Sequence, residues 1–237
     1  MEVSILIPTY NRSVLLKDTI TSILLQTLRE FELVIYDDGS TDNTSDMVKS
    51  IGDARIRYIR NSKNNGVQFA RNQLLEACKT KYAAWNGSDD LSNVHRLEIQ
   101  LDYIKTTHRI LVGTNYIGFQ DKPLDSVQAF KVVRTPEAYV LFKQPPESMA
   151  PEPIKIPHGG DGTNMVEVSK AVKYRLNRSL GGGDCVWMDD MYRKYGIDRP
   201  LIPKILYYVR YHDHRIGRWK RNPKLNQDWY NRMRTMR

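Results

Sequence analysis

Two acids and a glycine stand directly after an apolar run. Phe31 to Ile35 is followed by Tyr36-Asp37-Asp38-Gly39-Ser40-Thr41-Asp42. A buried strand that ends in carboxylates, turns at a glycine and reopens as a helix is how open α/β sheets present acids to a ligand, and it points to a nucleotide site. Further along, Asn86-Gly87-Ser88-Asp89-Asp90-Leu91 repeats the theme of acids after an apolar segment. A third acidic region places Asp184 after Gly181-Gly182-Gly183, with Asp189 and Asp190 beyond it.

The elements that must carry these residues alternate. Strands are expected at Val3 to Ile7, Phe31 to Tyr36, Ile56 to Ile59 and Lys81 to Trp85, with helices near Ser13 to Leu28, Thr41 to Ser50 and Val67 to Lys79 between them. Leu16, Ile20, Ile23, Leu24 and Leu28 recur at the 3.6-residue period and give the first helix one face for a sheet. A fourth helix is expected over Ser92 to Thr106. This βαβ order implies an α/β fold with a largely parallel sheet and ligands at the carboxyl ends of the strands. After residue 110 the pattern changes. Strands are expected at Ile110 to Phe119, Phe130 to Arg134 and Tyr139 to Phe142, and Lys122 to Pro157 holds seven of the eleven prolines, as in a surface loop or lid. Helical character is expected near Val166 to Arg175 and Trp187 to Tyr195, then a short strand over Ile205 to Arg210.

The 237 residues, 41% hydrophobic and 27% charged, have an ordinary globular composition and are enough for one large domain with a real core. No apolar run approaches the ~20 residues needed to cross a bilayer. The first residues lack the basic region of a signal peptide, so the expected location is the cytoplasm, at the membrane periphery, or a host's cytoplasm if the source is viral. Cys78 and Cys185 read as two unpaired thiols. Of the net charge of +9, Arg210 to Arg237 supplies +7. Such a tail, with Trp219, Trp229 and Tyr230 interleaved, can bind phosphates, nucleic acid or an anionic membrane, or can be a solvated basic helix.

Val3-Ser-Ile-Leu-Ile-Pro-Thr-Tyr-Asn11, the Asp37-Asp38 string, Gly66-Val-Gln-Phe-Ala-Arg-Asn72 and Ser88-Asp89-Asp90-Leu91, in that order, resemble family 2 glycosyltransferases. Those are nucleotide-sugar-dependent enzymes of the GT-A fold, Rossmann-like with a smaller acceptor-side second half. The resemblance covers roughly the first 105 residues and returns more loosely from Gly181 to Arg218. It implies a donor half over 1–110, an acceptor and catalytic half over 111–218, and a basic tail over 219–237.

By this resemblance Pro8, Thr9, Tyr10 and Asn11 belong to the donor site, with Thr9 and Tyr10 lining the base and ribose pocket. The strand-helix junction suits a nucleotide because free backbone N–H groups gather there. Asp37 is the better candidate for the base edge or ribose, where an acceptor-only side chain is wanted, and Asp38 can instead cap the next helix with Ser40 and Thr41. Asn65 and Arg71 face the nucleotide, and Ser88 and Asp89 complete the donor site.

Family members carry Asp-x-Asp-Asp before a helix with Arg-Leu-Glu-x-Gln. The helix matches as Arg96-Leu97-Glu98-Ile99-Gln100, but glycine stands at 87 where the first acid is expected, and Asn86 substitutes only in part. The resemblance leaves Asp89, with His212, to hold Mn²⁺ or Mg²⁺ across the diphosphate. Asp184 is the candidate base, with Asp189 and Asp190 as rivals. The implied reaction is metal-assisted transfer from a UDP-sugar or similar donor to a glycan or other hydroxyl, with inversion. A DNA-base-modifying transferase of viral type and a non-catalytic nucleotide-sugar binder are the alternatives. A sugar nucleotidyltransferase would need a Gly-rich loop that Pro8 to Arg12 lacks.

Overall fold

The computed structural model describes residues 1–120, 161–174, 176, 183–196 and 201–211. Eight strands form one sheet. They are β1 (Val3–Thr9), β2 (Phe31–Asp37), β3 (Ile56–Arg60), β4 (Tyr82–Trp85), β5 (Leu91–Ser92), β6 (Leu111–Gln120), β7 (Met165–Glu167) and β8 (Leu201–Tyr211), in the order β3-β2-β1-β4-β7-β6-β8-β5. The helices are α1 (Ser13–Leu24), α2 (Thr44–Ile51), α3 (Val67–Ala77), α4 (Arg96–Thr106) and α5 (Gly183–Tyr195).

The β3-β2-β1-β4 half is parallel throughout, and β6 pairs β8 in parallel as well. β1 lies at its centre because its run is apolar on both faces, as a strand covered on both sides requires. Val3, Ile5 and Ile7 pack with Leu16, Ile20 and Ile23 of α1, while Leu6 packs with Ala70 and Leu74 of α3. Pro8 is tolerated in this central strand because pairing with β4 ends at Leu6↔Trp85, so its missing N–H costs nothing on that side.

α1 stops four residues earlier than its periodicity predicts. The buried Gln26 leaves the helix to donate to the Asn93 carbonyl at 2.6 Å and accept from the Leu97 N–H at 3.0 Å. The helix expected over Val166 to Arg175 is instead β7 followed by a single 3₁₀ turn, Val168–Lys170. Two neighbours, β4 and β6, hydrogen-bond it in antiparallel register, and Met165 and Val166 bury themselves on opposite faces. Tertiary pairing overrides the short apolar signal there. β8 begins earlier than Ile205, because register shifts between Thr114 and Tyr116 pass over Pro203. The two-residue β5 gave no sequence signal. The expected strands at Phe130 to Arg134 and Tyr139 to Phe142, the proline-rich insert, and the basic tail beyond Tyr211 lie outside the described residues.

On β2, Glu32 holds the neighbouring β3 through a paired contact with Arg57, at 2.6 and 3.3 Å. Burial raises the Glu32 carboxyl, but the Arg57 guanidinium and the Ser4 hydroxyl outweigh it and hold the group below its ordinary 4.5. A carboxylate depressed on folding stabilises the chain above its unfolded value, and that contribution is lost as pH falls through the folded one. Glu32→Gln is therefore expected to lower stability at pH 7 and to flatten the acid limb below about pH 4.5 in urea melts across pH. Parallel acid limbs for the two proteins would remove Glu32 from acid unfolding.

Candidate active site

The carboxyl ends of β1, β2 and β4 and the start of α3 meet along one edge of the sheet. Thr9 and Asp37 are register partners in β1 and β2, the Asp38 N–H donates to the Thr9 carbonyl at 2.9 Å, and the Asn86 N–H donates to the Leu6 carbonyl at 3.1 Å. The Thr9 hydroxyl is buried and has no hydrogen-bond partner among the described residues. An unmatched buried hydroxyl costs about 1–3 kcal/mol, which a ligand oxygen or nitrogen can recover. Tyr10, by contrast, is exposed at the same junction.

The two acids after β2 divide their work in a way the sequence did not foretell. Asp37 is fully buried; one oxygen accepts the Ser40 N–H at 2.8 Å and the other accepts the Tyr58 hydroxyl. Burial first, and then the hydrogen bond to Asp37 and its charge, push the Tyr58 phenol upward, so it stays a donor. Asp38 does not cap α2 with Ser40 and Thr41. It reaches the start of α3, accepting the N–H groups of Asn65 at 2.9 Å and Gly66 at 2.6 Å, with the Asn61 amide at 3.2 Å. Asn11 is a clamp between loops: its side-chain oxygen accepts the Thr41 N–H at 2.8 Å, and its own N–H donates to the Ser40 hydroxyl at 2.8 Å. Pro8 sits inside β1, half-buried.

Arg71 lies with its guanidinium 5.1 Å from the centre of the Tyr174 ring. Tyr174 stacks on Trp187 of α5 at 5.3 Å and meets Trp85 of β4 edge-on at 5.5 Å. Its backbone is fixed by the Asn72 side chain, which accepts the Tyr174 N–H at 2.7 Å and donates to the Tyr174 carbonyl at 2.9 Å. This aromatic column aligns a planar cation beside the crevice, an arrangement suited to phosphate or carbonyl oxygens.

Below the loop after β4 is a polar floor. Asn86 is buried, accepting from Arg96 at 2.9 Å and Ser92 at 2.7 Å, so it does not stand in for the acid missing at 87. Asp90 is buried as well, its oxygens taken by the Tyr207 hydroxyl and the Arg210 N–H, each at 2.9 Å. Burial, and then the Asp90 charge, push the Tyr207 phenol far upward. Ser88 and Asp89 are half-buried on the loop.

The sequence matches the glycosyl transferase family 2 pattern over residues 4–169. The chain belongs to glycosyl transferase family 2. It is 36% identical over 114 residues to WfaP of Escherichia coli, a UDP-Glc:alpha-D-GlcNAc-diphosphoundecaprenol beta-1,3-glucosyltransferase, covering 48% of this chain and 45% of that protein. It is 31% identical over 138 residues to TuaG of Bacillus subtilis, a putative teichuronic acid biosynthesis glycosyltransferase, covering 57% of this chain and 54% of that one. The chain spans about half the length of these relatives, and 22% of a glycosyltransferase of Rickettsia felis to which it is 39% identical over 131 residues.

Among solved structures, S. aureus TarS in complex with UDP-GlcNAc superposes with a TM-score of 0.66 at 18% identity, covering 91% of this chain and 60% of that one. The mannosyltransferase PcManGT of Pyrobaculum calidifontis, in complex with GDP-Man and Mn²⁺, gives 0.64 at 15% identity, covering 90% and 58%. The fold is GT-A.

Against that family background, no group of three or more His, Cys, Asp or Glu side chains gathers among the described residues. Asp90 is turned inward, and Asp89 beside it on the loop is half-buried. One carboxylate, a diphosphate and water make an oxygen set that fits Mn²⁺ or Mg²⁺. Asp184 falls in the first turn of α5 and Asp189 in its middle, both with side chains outside those described; Asp190 is half-buried on the same helix, and His212 is outside the described residues. Sequence reasoning missed Tyr58, Tyr174 and Tyr207. Their roles come from contacts between distant segments, and no local spacing marks them.

No described helix is long and apolar enough to cross a membrane.

Proposed function

We propose that the chain transfers a sugar from a nucleoside diphosphate sugar, with uridine as the base, to an acceptor hydroxyl with inversion at the anomeric carbon. What carries this reading is the meeting of Thr9, Asp38, Arg71 and the Asp89 loop at one edge of a family 2 sheet. The UDP-linked donors named for WfaP and for the TarS complex favour uridine, and the WfaP acceptor favours a lipid-linked glycan. The donor half is 1–110 and the acceptor half 111–218, and the basic tail belongs to the acceptor side, where an anionic membrane face suits its charge.

Each residue then has a task. The Thr9 hydroxyl bonds the nucleoside, Asp37 and Asn11 hold the turn around it, and Arg71 on its Tyr174 support takes a donor oxygen. Asp184 accepts the proton of the acceptor hydroxyl as that oxygen bonds to the anomeric carbon. The bond to the diphosphate breaks, and its electron pair leaves with the nucleoside diphosphate. When bound, a divalent cation offsets charge on that leaving group, and Asp89, joined by His212, is the residue that would hold it.

A donor panel read by released nucleoside diphosphate tests the function. Turnover is expected with a UDP-sugar, suppressed by EDTA and restored by Mn²⁺. Tight donor binding without release from any sugar nucleotide, acceptor included, would identify a non-catalytic binder instead.

A further inference from the structure

The Tyr207 hydroxyl sits where three stretches of backbone converge. It accepts the Gly87 N–H at 2.8 Å and donates to Asp90 at 2.9 Å, linking β8 to both ends of the loop that carries Asp89. Two glycines make the space. A Cβ at 87 would stand 2.6 Å from an Asp90 carboxylate oxygen and 3.1 Å from an Asp89 one, and one at 162 would stand 2.2 Å from the Tyr207 hydroxyl oxygen. The second Asp90 oxygen takes the Arg210 N–H, and the buried Arg210 guanidinium is held by Asp18 of α1 at 3.2 Å.

We propose that Tyr207 is a positioning residue for Asp89: with Asp90 it locks the backbone of residues 87–90 from the interior, and position 87 is glycine because the Asp90 carboxylate stands where a side chain would begin. The glycine is then part of this lock rather than a gap left by a lost ligand. Tyr207 touches neither donor nor cation in this arrangement; it acts by fixing the neighbours of the residue that does. Because the lock uses the space at 87, returning an acid to that position breaks it. The proposal rests on the reading of Asp89 as the residue facing the donor diphosphate and its cation.

Mn²⁺ affinity of the UDP-loaded protein, read by electron paramagnetic resonance of free Mn²⁺, tests it alongside UDP affinity in EDTA. Tyr207→Phe is expected to weaken Mn²⁺ binding about tenfold, the low end of what losing support around a metal site costs, with UDP affinity in EDTA unchanged. Gly87→Asp should also weaken Mn²⁺ binding. Wild-type Mn²⁺ affinity in Tyr207→Phe, or tighter binding in Gly87→Asp, would overturn the proposal. If Tyr207→Phe does not fold, Gly162→Ala carries the test, because its Cβ meets the Tyr207 ring and hydroxyl and not Asp89: weaker Mn²⁺ binding supports the lock, and unchanged binding refutes it. Asp89→Asn separates the two levels. Should it keep wild-type Mn²⁺ affinity, the reading of the site itself fails; should it lose affinity while Tyr207→Phe does not, only the lock fails.

Discussion

Replacing Arg96 by lysine is expected to destabilise the folded chain by about 1–3 kcal/mol for each buried acceptor it leaves unmatched. Arg96 is buried at the start of α4 and spends its fork on four acceptors: Gln100 at 2.9 Å, Asn86 at 2.9 Å, Ser92 at 2.9 Å and the Trp85 carbonyl at 2.8 Å. Its guanidinium also lies 4.9 Å from the centre of the Tyr207 ring. Burial lowers its pKa to about 10, against the pull of Tyr207 and Asp90, so it remains charged at neutral pH. A lysine brings three donors on one nitrogen and cannot span acceptors spread across a planar fork, so at least one buried acceptor is left unmatched. Urea unfolding at pH 7 measures the effect. A loss under 1 kcal/mol would show that water can enter and replace the guanidinium.

That residue also marks how far a sequence can be read. The Arg96 to Gln100 pattern was recognisable through the family resemblance, yet nothing local says that the two support the Asp89 loop from below. The core of the parallel half was legible because β1, β2 and β4 are short apolar runs soon followed by Asp or Asn, and α1 between them carries a 3.6-residue period. β7 was not legible. Val166 to Lys170 has no period of its own, and its state is decided by hydrogen bonds from β4 and β6, distant in sequence on one side.

The Asp37-Asp38 string was visible as a site feature, but the division of labour within it was not. Both carboxylates sit at the same strand end, and only the positions of Tyr58 and of the Asn65-Gly66 backbone decide which acid braces the turn and which braces α3. Asn86 misled for the same reason. A short polar side chain beside a missing acid reads as its substitute until Arg96 and Ser92 are seen to use it.

Asp184→Asn is expected to lower kcat by about 10²–10⁴, the contribution of a positioned general base, while UDP affinity stays within about threefold, since the change removes a step made only in the transition state. α5 hangs from the aromatic column that supports Arg71: Trp187 stacks on Tyr174, and its indole N–H donates to the Val172 carbonyl at 2.8 Å. Asp184 lies one helical turn before Trp187, which ties the start of the helix to Tyr174, the ring against which Arg71 lies. Single-turnover rates and calorimetric UDP affinities of the Asn variants at 184, 189 and 190 decide the assignment. If transfer survives in Asp184→Asn but is abolished in Asp189→Asn or Asp190→Asn, the base lies at least a turn further along α5, between Trp187 of the column and Met191 of the same core cluster.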